Sequence, residues 1–308
     1  MKRILVLYYT QTGQLKQIID SVTVPLKDEF QVTYEELKPS PPFPFPWNGM
    51  PFFQVFPESV KEIPCGMESL QVDPDEHFDL VILAYQVWYL SPSIPVSSFL
   101  QSPGARKILN GRPVITLLGV RNMWIMAQER VKARIAEAGG RLVGNIVLND
   151  PAPNLTSVIT IVRWMMKGEK GAFRKFGLRF PEAGVPAASI DKSSGYGEII
   201  KNSLVNGSFD DLQSKLVSAG AVKIDPVLMN IEKRGKMMFG IWAKMILKKG
   251  DYNDPKRERR LKMFKYYLFS VIYLVSPFAA CAFRLYYRLN RRAASRIIRK
   301  YSTGMESL

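Results

Sequence analysis

The sequence predicts an α/β fold, a doubly wound five-stranded parallel sheet followed by a helical C-terminal extension. Three observations carry that expectation. Segments of strand length, four mainly apolar and one alternating, recur in the first 150 residues, stretches with apolar residues at helical spacing lie between them, and several runs break abruptly into polar loops.

Taken in order, Ile4 to Tyr9 is a continuous apolar run, as a strand buried on both faces requires. It gives way to Thr10-Gln11-Thr12-Gly13-Gln14, after which Leu15, Ile18, Ile19 and Val22 recur at helical spacing. Phe30 to Leu37 alternates enough to be a second strand nearer the sheet edge. Lys38 to Pro46 holds five prolines, which forbid regular helix. A solvated linker has no use for the rings of Phe43, Phe45, Trp47, Phe52, Phe53 and Phe56, so this excursion is expected to pack, over a ligand. Phe78 to Ala84 is the third strand. A polar and aromatic loop, Tyr85 to Pro92, leads to a helix over Ile94 to Leu100 with Pro95 in its first turn. Arg112 to Gly119 is the fourth strand, followed by Val120-Arg121-Asn122-Met123 and a helix from Trp124 to Ala138 that stops at Gly139-Gly140. Leu142 to Leu148 is the fifth.

Open parallel sheets bind ligands at the carboxyl ends of their strands. Three such ends carry substantial loops here, at 10–15, 85–92 and 119–124. The first joins a strand to a helix start, where unpaired amides and the helix dipole favour an anion. The hydroxyls of Thr10 and Thr12 add donors, and Gly13 lets the backbone approach closely. An ordinary capped turn is the other reading of that loop alone. The dinucleotide fingerprint G-x-G-x-x-G is absent from it.

Composition narrows the function classes. The chain has 308 residues, 47% of them apolar and 23% charged, as in packed globular proteins. Its net charge of +16 is unevenly placed: residues 1–230 carry 24 Lys and Arg against 22 Asp and Glu, residues 231–308 carry 19 against 5. Cys65 and Cys281 form no framework, and the N-terminus reads as a strand and not a signal peptide, so a cytoplasmic location is expected. The single histidine, His77, sits in an acidic run, and no clustered His and Cys set suggests a metal site.

The three loops resemble a family. Thr10-Gln11-Thr12-Gly13-Gln14-Leu15 is similar to the flavodoxin phosphate loop T/S-x-T-G-x-T, with Leu15 in place of the last hydroxyl residue. The resemblance implies FMN as cofactor, its phosphate held by the backbone of 11–15 and the hydroxyls of Thr10 and Thr12. Gln86-Val87-Trp88-Tyr89-Leu90 resembles the flavin-flanking loop of flavodoxin-like quinone reductases, with Trp88 or Tyr89 beside the ring. Gly119, Arg121 and Asn122 fall where the family meets the flavin's polar edge, and Arg121 would there stabilise negative charge. A narrower likeness, carried by YYTQTGQL, PFPFPW, AYQVWYLSPSIPVSSFLQ and RNMWIMAQE, is to the DarA-type flavodoxin-like proteins of bacterial dialkylresorcinol and aryl-polyene pathways, often labelled dialkylresorcinol condensing enzymes. That likeness implies work beside a ketosynthase-type condensing enzyme on a lipid-like, alkyl-substituted ring. The expected reaction is oxidation of a cyclohexanedione or cyclohexenone to a resorcinol, with Tyr85 or Tyr89 handling a phenol proton and Arg121 assisting. An electron carrier, quinone reductase or scaffold that docks a partner is the alternative.

The rest of the chain divides by composition. Residues 1–150 form the expected flavin domain, 151–235 a helical and loop extension packed on it, and 236–308 basic, apolar helices that associate with membrane. Tyr266 to Phe283 runs 18 residues without a charge, about 27 Å as a helix and barely the hydrocarbon thickness. Arg284, Arg288, Arg292, Arg296 and Lys300 recur every four residues beside a row of Leu285, Leu289, Ala293 and Ile297. Residues 236–300 are therefore expected to lie along an anionic membrane surface, peripheral or monotopic at the inner face of the cell membrane, with the apolar row inward; a true span and a helix packed in the protein or a dimer interface are the alternatives. Nucleic acid does not explain eighteen uncharged, ring-rich residues between the basic clusters.

Overall fold

The computed structural model describes residues 1–175 and 177–303. Its centre is a parallel sheet of β1 (Arg3–Tyr8), β2 (Gln31–Glu36), β3 (Leu80–Tyr85), β4 (Pro113–Val120) and β5 (Arg141–Asn149). The order is β2-β1-β3-β4-β5, all neighbours parallel. This is the flavodoxin-like winding, with its switch point between β1 and β3. Five strands, parallel pairing and a helical C-terminal region agree with the fold class expected from sequence.

The pleat explains why the central runs Ile4 to Tyr8 and Leu80 to Tyr85 are apolar at every position. Ile4, Val6, Leu80, Ile82, Ile115 and Leu117 face α1 (Gln14–Thr23) and the C-terminal helices α9 (Ser194–Asn206) and α10 (Leu212–Ser218). Leu5, Leu7, Val81, Leu83, Val114 and Leu118 face α4 (Ile94–Leu100), α5 (Pro103–Leu109) and α6 (Ile125–Glu137). Both faces are covered, so neither phase of the alternation is free to be polar. Between them, α7 (Asn154–Lys167) and α8 (Ala187–Asp191) bring the extension across the carboxyl edge.

A third core joins the proline-rich excursion to the tail. Phe53 of α2 (Met50–Gln54) and Phe56 and Val60 of α3 (Phe56–Lys61) pack with Ala243 and Ile246 of α11 (Pro226–Leu247) and Leu261 and Phe264 of α12 (Glu258–Ser270). Arg257, 0% exposed, donates to both oxygens of Glu58 at 2.6 and 3.0 Å and to the Gln54 carbonyl at 2.9 Å. Three acceptors on its two terminal nitrogens compensate much of the cost of burying the guanidinium, although its Nε has no partner, and the pairing fixes where α12 begins.

From α12 the chain continues through a π turn, Val271–Val275, into α13 (Ser276–Leu289). Pro277 has no N–H for the carbonyl one turn back, and the wider π turn ahead of it absorbs that break in the ladder. The 35-residue helix Pro255–Leu289 is long and apolar enough to cross a membrane, and none of its most apolar stretch is buried. The last helix, α14 (Arg291–Thr303), departs from the surface arrangement expected of it. Ile297 and Tyr301 pack on the α6 side of the domain, and Gln213 Nε2 donates to the Ser302 carbonyl at 2.9 Å. Leu285 and Leu289, in the same apolar row, remain exposed. The row is thus split between protein and solvent, because the chain turns at Asn290.

Candidate functional site

A cleft of about 520 Å³ opens at the carboxyl edge of the sheet. It gathers Gln11, Thr12, Gln14 and Leu15 from the first loop, Gln86 to Leu90 from the second, and Gly119 and Arg121 from the third. Thr10, Gly13 and Asn122 are not on its surface, and Tyr85 lies away from it. The far walls are α7, α11 and the inner face of α12 and α13.

The first loop is built around Gly13, which starts α1 at φ 79° with open space where a Cβ would point. Its N–H donates to Thr10 Oγ1 at 3.1 Å, which leaves that hydroxyl's own proton free to donate. No side chain caps α1 and no acidic residue occupies its first turn, so the amides there stay available to an anion. Gln14 exchanges two hydrogen bonds with the backbone of Val185, Nε2 to O at 2.9 Å and N to Oε1 at 3.0 Å. This contact requires Gly184 beside it, where a Cβ would fall 2.6 Å from Gln14 Oε1. Leu15 is 1% exposed and packs in the core on the α1 side of the sheet.

The second loop is a tight hairpin, Val87–Trp88 paired with Ser91–Pro92, turned by Tyr89 and Leu90 at φ 49° and 61°. Two successive left-handed residues are the geometry of a type I′ turn, which usually takes Asn-Gly. Neither side chain favours that backbone, so their surroundings impose it. The Tyr89 hydroxyl donates to the Phe52 carbonyl at 2.6 Å, and its ring packs on Phe52 and Phe56. Gln86 Oε1 accepts the Gln11 N–H at 2.8 Å and so ties the first two loops together. Trp88 is held edge-on by Tyr9, Phe43 and Trp47. Gln11 Nε2 donates to the Pro44 carbonyl at 2.9 Å, so the proline-rich excursion does pack, directly over these loops.

The expected tyrosine roles do not fit this geometry. Tyr85 is fully buried and its hydroxyl donates to Gln128 Oε1 at 2.6 Å beneath α6, with burial pushing the phenol well above its ordinary pKa. Odd positions of β3 face that helix, which is why Tyr85 is turned from the cleft. Tyr89 does line the cleft, but its proton is committed to Phe52, and burial raises its pKa also.

Arg121 is the charged group of the third loop. Its Nη1 donates to Asn154 Oδ1 at 2.8 Å and to the Asn154 carbonyl at 3.2 Å, and Asn122 Nδ2 donates to the same Oδ1 at 2.9 Å. Both acceptors of the guanidinium are neutral. Burial pulls the guanidinium down to about 10, and Asp150 and Glu232 offset this only as charges at a distance. Among the described residues, the lining contains no Asp, Glu, His or Cys, and its cations are Arg121 and Arg234.

The sequence pattern did not reveal that residues 151–235 reach the first and third of these loops and the proline-rich excursion. Asn154 holds the third, Val185 the first, and the Met165 carbonyl accepts the Trp47 N–H at 2.9 Å beneath the excursion. None of these contacts leaves a motif, since two of them use the backbone. Among the described residues no group of His, Cys, Asp and Glu is placed to hold a metal ion.

No protein-family model matches the sequence, nor does any curated protein. Solved structures do. A Lactobacillus acidophilus flavoprotein in complex with FMN is 16% identical, spanning 48% of this chain and 93% of its own, with a TM-score of 0.38. A Fusobacterium nucleatum flavodoxin bound to flavin mononucleotide is 15% identical over 66% of this chain and 98% of its own, at 0.36. The Trp repressor binding protein from Bacillus subtilis is 10% identical over 54% and 98%, at 0.32.

Proposed function

We propose that the chain is an FMN-dependent oxidoreductase that works at a membrane surface on a lipid-like, alkyl-substituted ring, oxidising a cyclohexane-1,3-dione, or the hydroxycyclohexenone that is its enol, to a resorcinol. The observation that carries this reading is one continuous cleft, with half-buried Arg121 and the phosphate-type loop at one end and the apolar face of a membrane-length helix at the other.

The residues present fit a flavin. The α1 terminus is uncapped beside Thr12, Gly13 has open space, and the buried Trp47 Nε1 has no partner although its ring lines the cleft. The hydroxyls of Thr10 and Thr12 and the backbone of 12–15 would hold the phosphate, the Gln11 N–H being committed to Gln86; Gln86 to Leu90 and Arg121 would border the ring. When bound, FMN supplies a two-electron acceptor that takes one hydride from a ring carbon. The chain's own part is electrostatic. A cleft with cations and no carboxylate selects an oxyanion, so Arg121 would hold a substrate already ionised to its enolate, whose proton has left to solvent. Loss of one hydride from that enolate leaves a cyclohexadienone, which tautomerises to the resorcinol. Exposed Met263, Tyr266, Leu274 and Phe278, on a helix with basic residues toward both ends, support attachment to an anionic bilayer. A ketosynthase-type condensing enzyme would supply the ring.

The test is to purify the full chain from membranes, load it with FMN and add an alkylcyclohexane-1,3-dione without oxygen. Bleaching of the flavin absorbance with formation of the resorcinol is expected. Stable flavin binding with no bleaching would instead favour an electron carrier, and absence of flavin binding would end the proposal.

A further inference from the structure

We infer that the helical wall from α12 through α13 is an alkyl-chain subsite: one chain of the ring substrate lies between this wall and α11, and side chains on the two walls set the chain length accepted. The position of the ring end rests on the flavin reading; the chain trough itself does not.

The helix is apolar on two sides, and the two sides meet different surroundings. Leu268, Ile272, Ala279 and Phe283 form a stripe that lines the cleft, with Val275 between them at its rim and 56% exposed. Leu274 and Phe278 point the other way and are 64% and 78% exposed. An ordinary surface helix has one apolar stripe; a second stripe facing a cavity calls for an apolar occupant of that cavity. Across the trough stand Ile231, Met238 and Phe239 of α11.

Length identifies the occupant. From Leu268 to Phe283 the lining extends along roughly 22 Å of helix, at 1.5 Å per residue. That is longer than a ring system and suits an extended chain. Polarity fixes its direction. Gln11, Thr12, Gln86 and Arg121 all come from the sheet loops, whereas the helical end offers Ser276, Tyr267 and Arg234, whose guanidinium sits 5.4 Å from the Phe283 ring centre. An amphiphile with a polar ring at the loops and a chain along the helix satisfies both ends.

The experiment titrates the full chain, with and without FMN, with 5-alkylresorcinols from methyl to undecyl, each below its aggregation concentration. Binding is read from tryptophan fluorescence, since Trp88 and Trp164 line the cleft. Affinity should rise about three- to fourfold per added methylene until the trough is filled. Ile272→Trp from one wall and Met238→Trp from the other should each stop that rise at a shorter chain while leaving the methyl compound unchanged. n-Alkanols of equal length should bind more weakly. A flat series, variants that weaken every member equally, or alkanols that bind as well as the resorcinols would overturn the inference. Flavin loading is followed separately by visible absorbance, so a chain-length series without flavin binding would leave the subsite standing and remove only the redox reading.

Discussion

Arg121→Met separates the stability of the cleft from its use. The guanidinium is held at about 10 by burial, against an ordinary 12.5; that gap corresponds to about 3 kcal/mol favouring the neutral form. The sign follows from proton binding. Below about pH 10 the group is charged in both folded and unfolded chains, so the full cost of burying the charge is present at neutral pH, and it fades only as pH climbs from 10 toward 12.5. The cleft admits water on one side, which reduces the cost to about 2 kcal/mol. The hydrogen bonds to Asn154 return about 1 kcal/mol. Methionine fills similar volume without charge, and Asn154 Oδ1 keeps its bond from Asn122. Flavin-free Arg121→Met should therefore be more stable than wild type by about 1 kcal/mol in urea denaturation at pH 7. Added FMN should reverse the order. At a hundredfold excess over its dissociation constant it stabilises the wild type by about 2.7 kcal/mol, and a tenfold loss of affinity in the variant removes about 1.4 kcal/mol of that. A variant less stable than wild type without flavin, or equal protection of both proteins by FMN, would refute the view of Arg121 as an anion site kept at the expense of stability.

Other perturbations address the remaining parts. Gly13→Ala places a Cβ on a residue at φ 79°, so it should cost about 1 kcal/mol and lower FMN affinity by equilibrium dialysis. Glu58→Gln breaks a buried bidentate pair with Arg257 and should destabilise the protein by about 3–5 kcal/mol, with limited proteolysis reporting release of the tail. Leu274→Glu together with Phe278→Glu should abolish flotation with anionic vesicles while leaving FMN binding intact; retention on vesicles would exclude the outer face as the membrane contact. Glu232, buried against the first amides of α6, is raised to about 7 chiefly by burial. Between pH 4.5 and 7 the folded chain keeps a proton that the unfolded chain has lost, so stability should fall by about 3 kcal/mol across that window and level off above it. Glu232→Gln should remove that slope in a pH series of urea melts.

The sheet was legible because its central strands are buried on both faces. Ile4 to Tyr8 and Leu80 to Tyr85 read as unbroken apolar runs for the same reason that they cannot be edge strands, and strand ends moved by only a residue or two. The loops were legible as positions along the chain but not as directions in space. Nothing at Tyr85 distinguishes a phenol aimed at Gln128 from one aimed at a cleft, because that depends on which phase of the pleat the last strand residue occupies. The turn at Tyr89-Leu90 was hidden for the opposite reason: its backbone contradicts the preference of its own residues and is imposed by Phe52, Phe56 and Gly235 from elsewhere in the chain. Contacts made by backbone atoms, such as the Val185 amide to Gln14 and the Met165 carbonyl to Trp47, leave no trace in residue identity.

The tail shows how far composition reaches. Basic clusters around an uncharged run suggest a membrane, and the exposed outer residues of α12 and α13 agree with that suggestion. Composition does not tell one apolar stripe from two. Tertiary packing makes the difference here: Arg257 and the stacked Phe56 and Phe264 rings, 3.6 Å apart, fasten the base of the helix to the excursion that also covers the sheet loops. With its base fixed there, the helix must run along the cleft before it can meet anything else. Substitutions on its two stripes should therefore be separable, those at Ile272 changing which ligand is held and those at Phe278 changing where the protein is found. A helix serving only as an anchor would give variants that alter location alone, whichever stripe is changed.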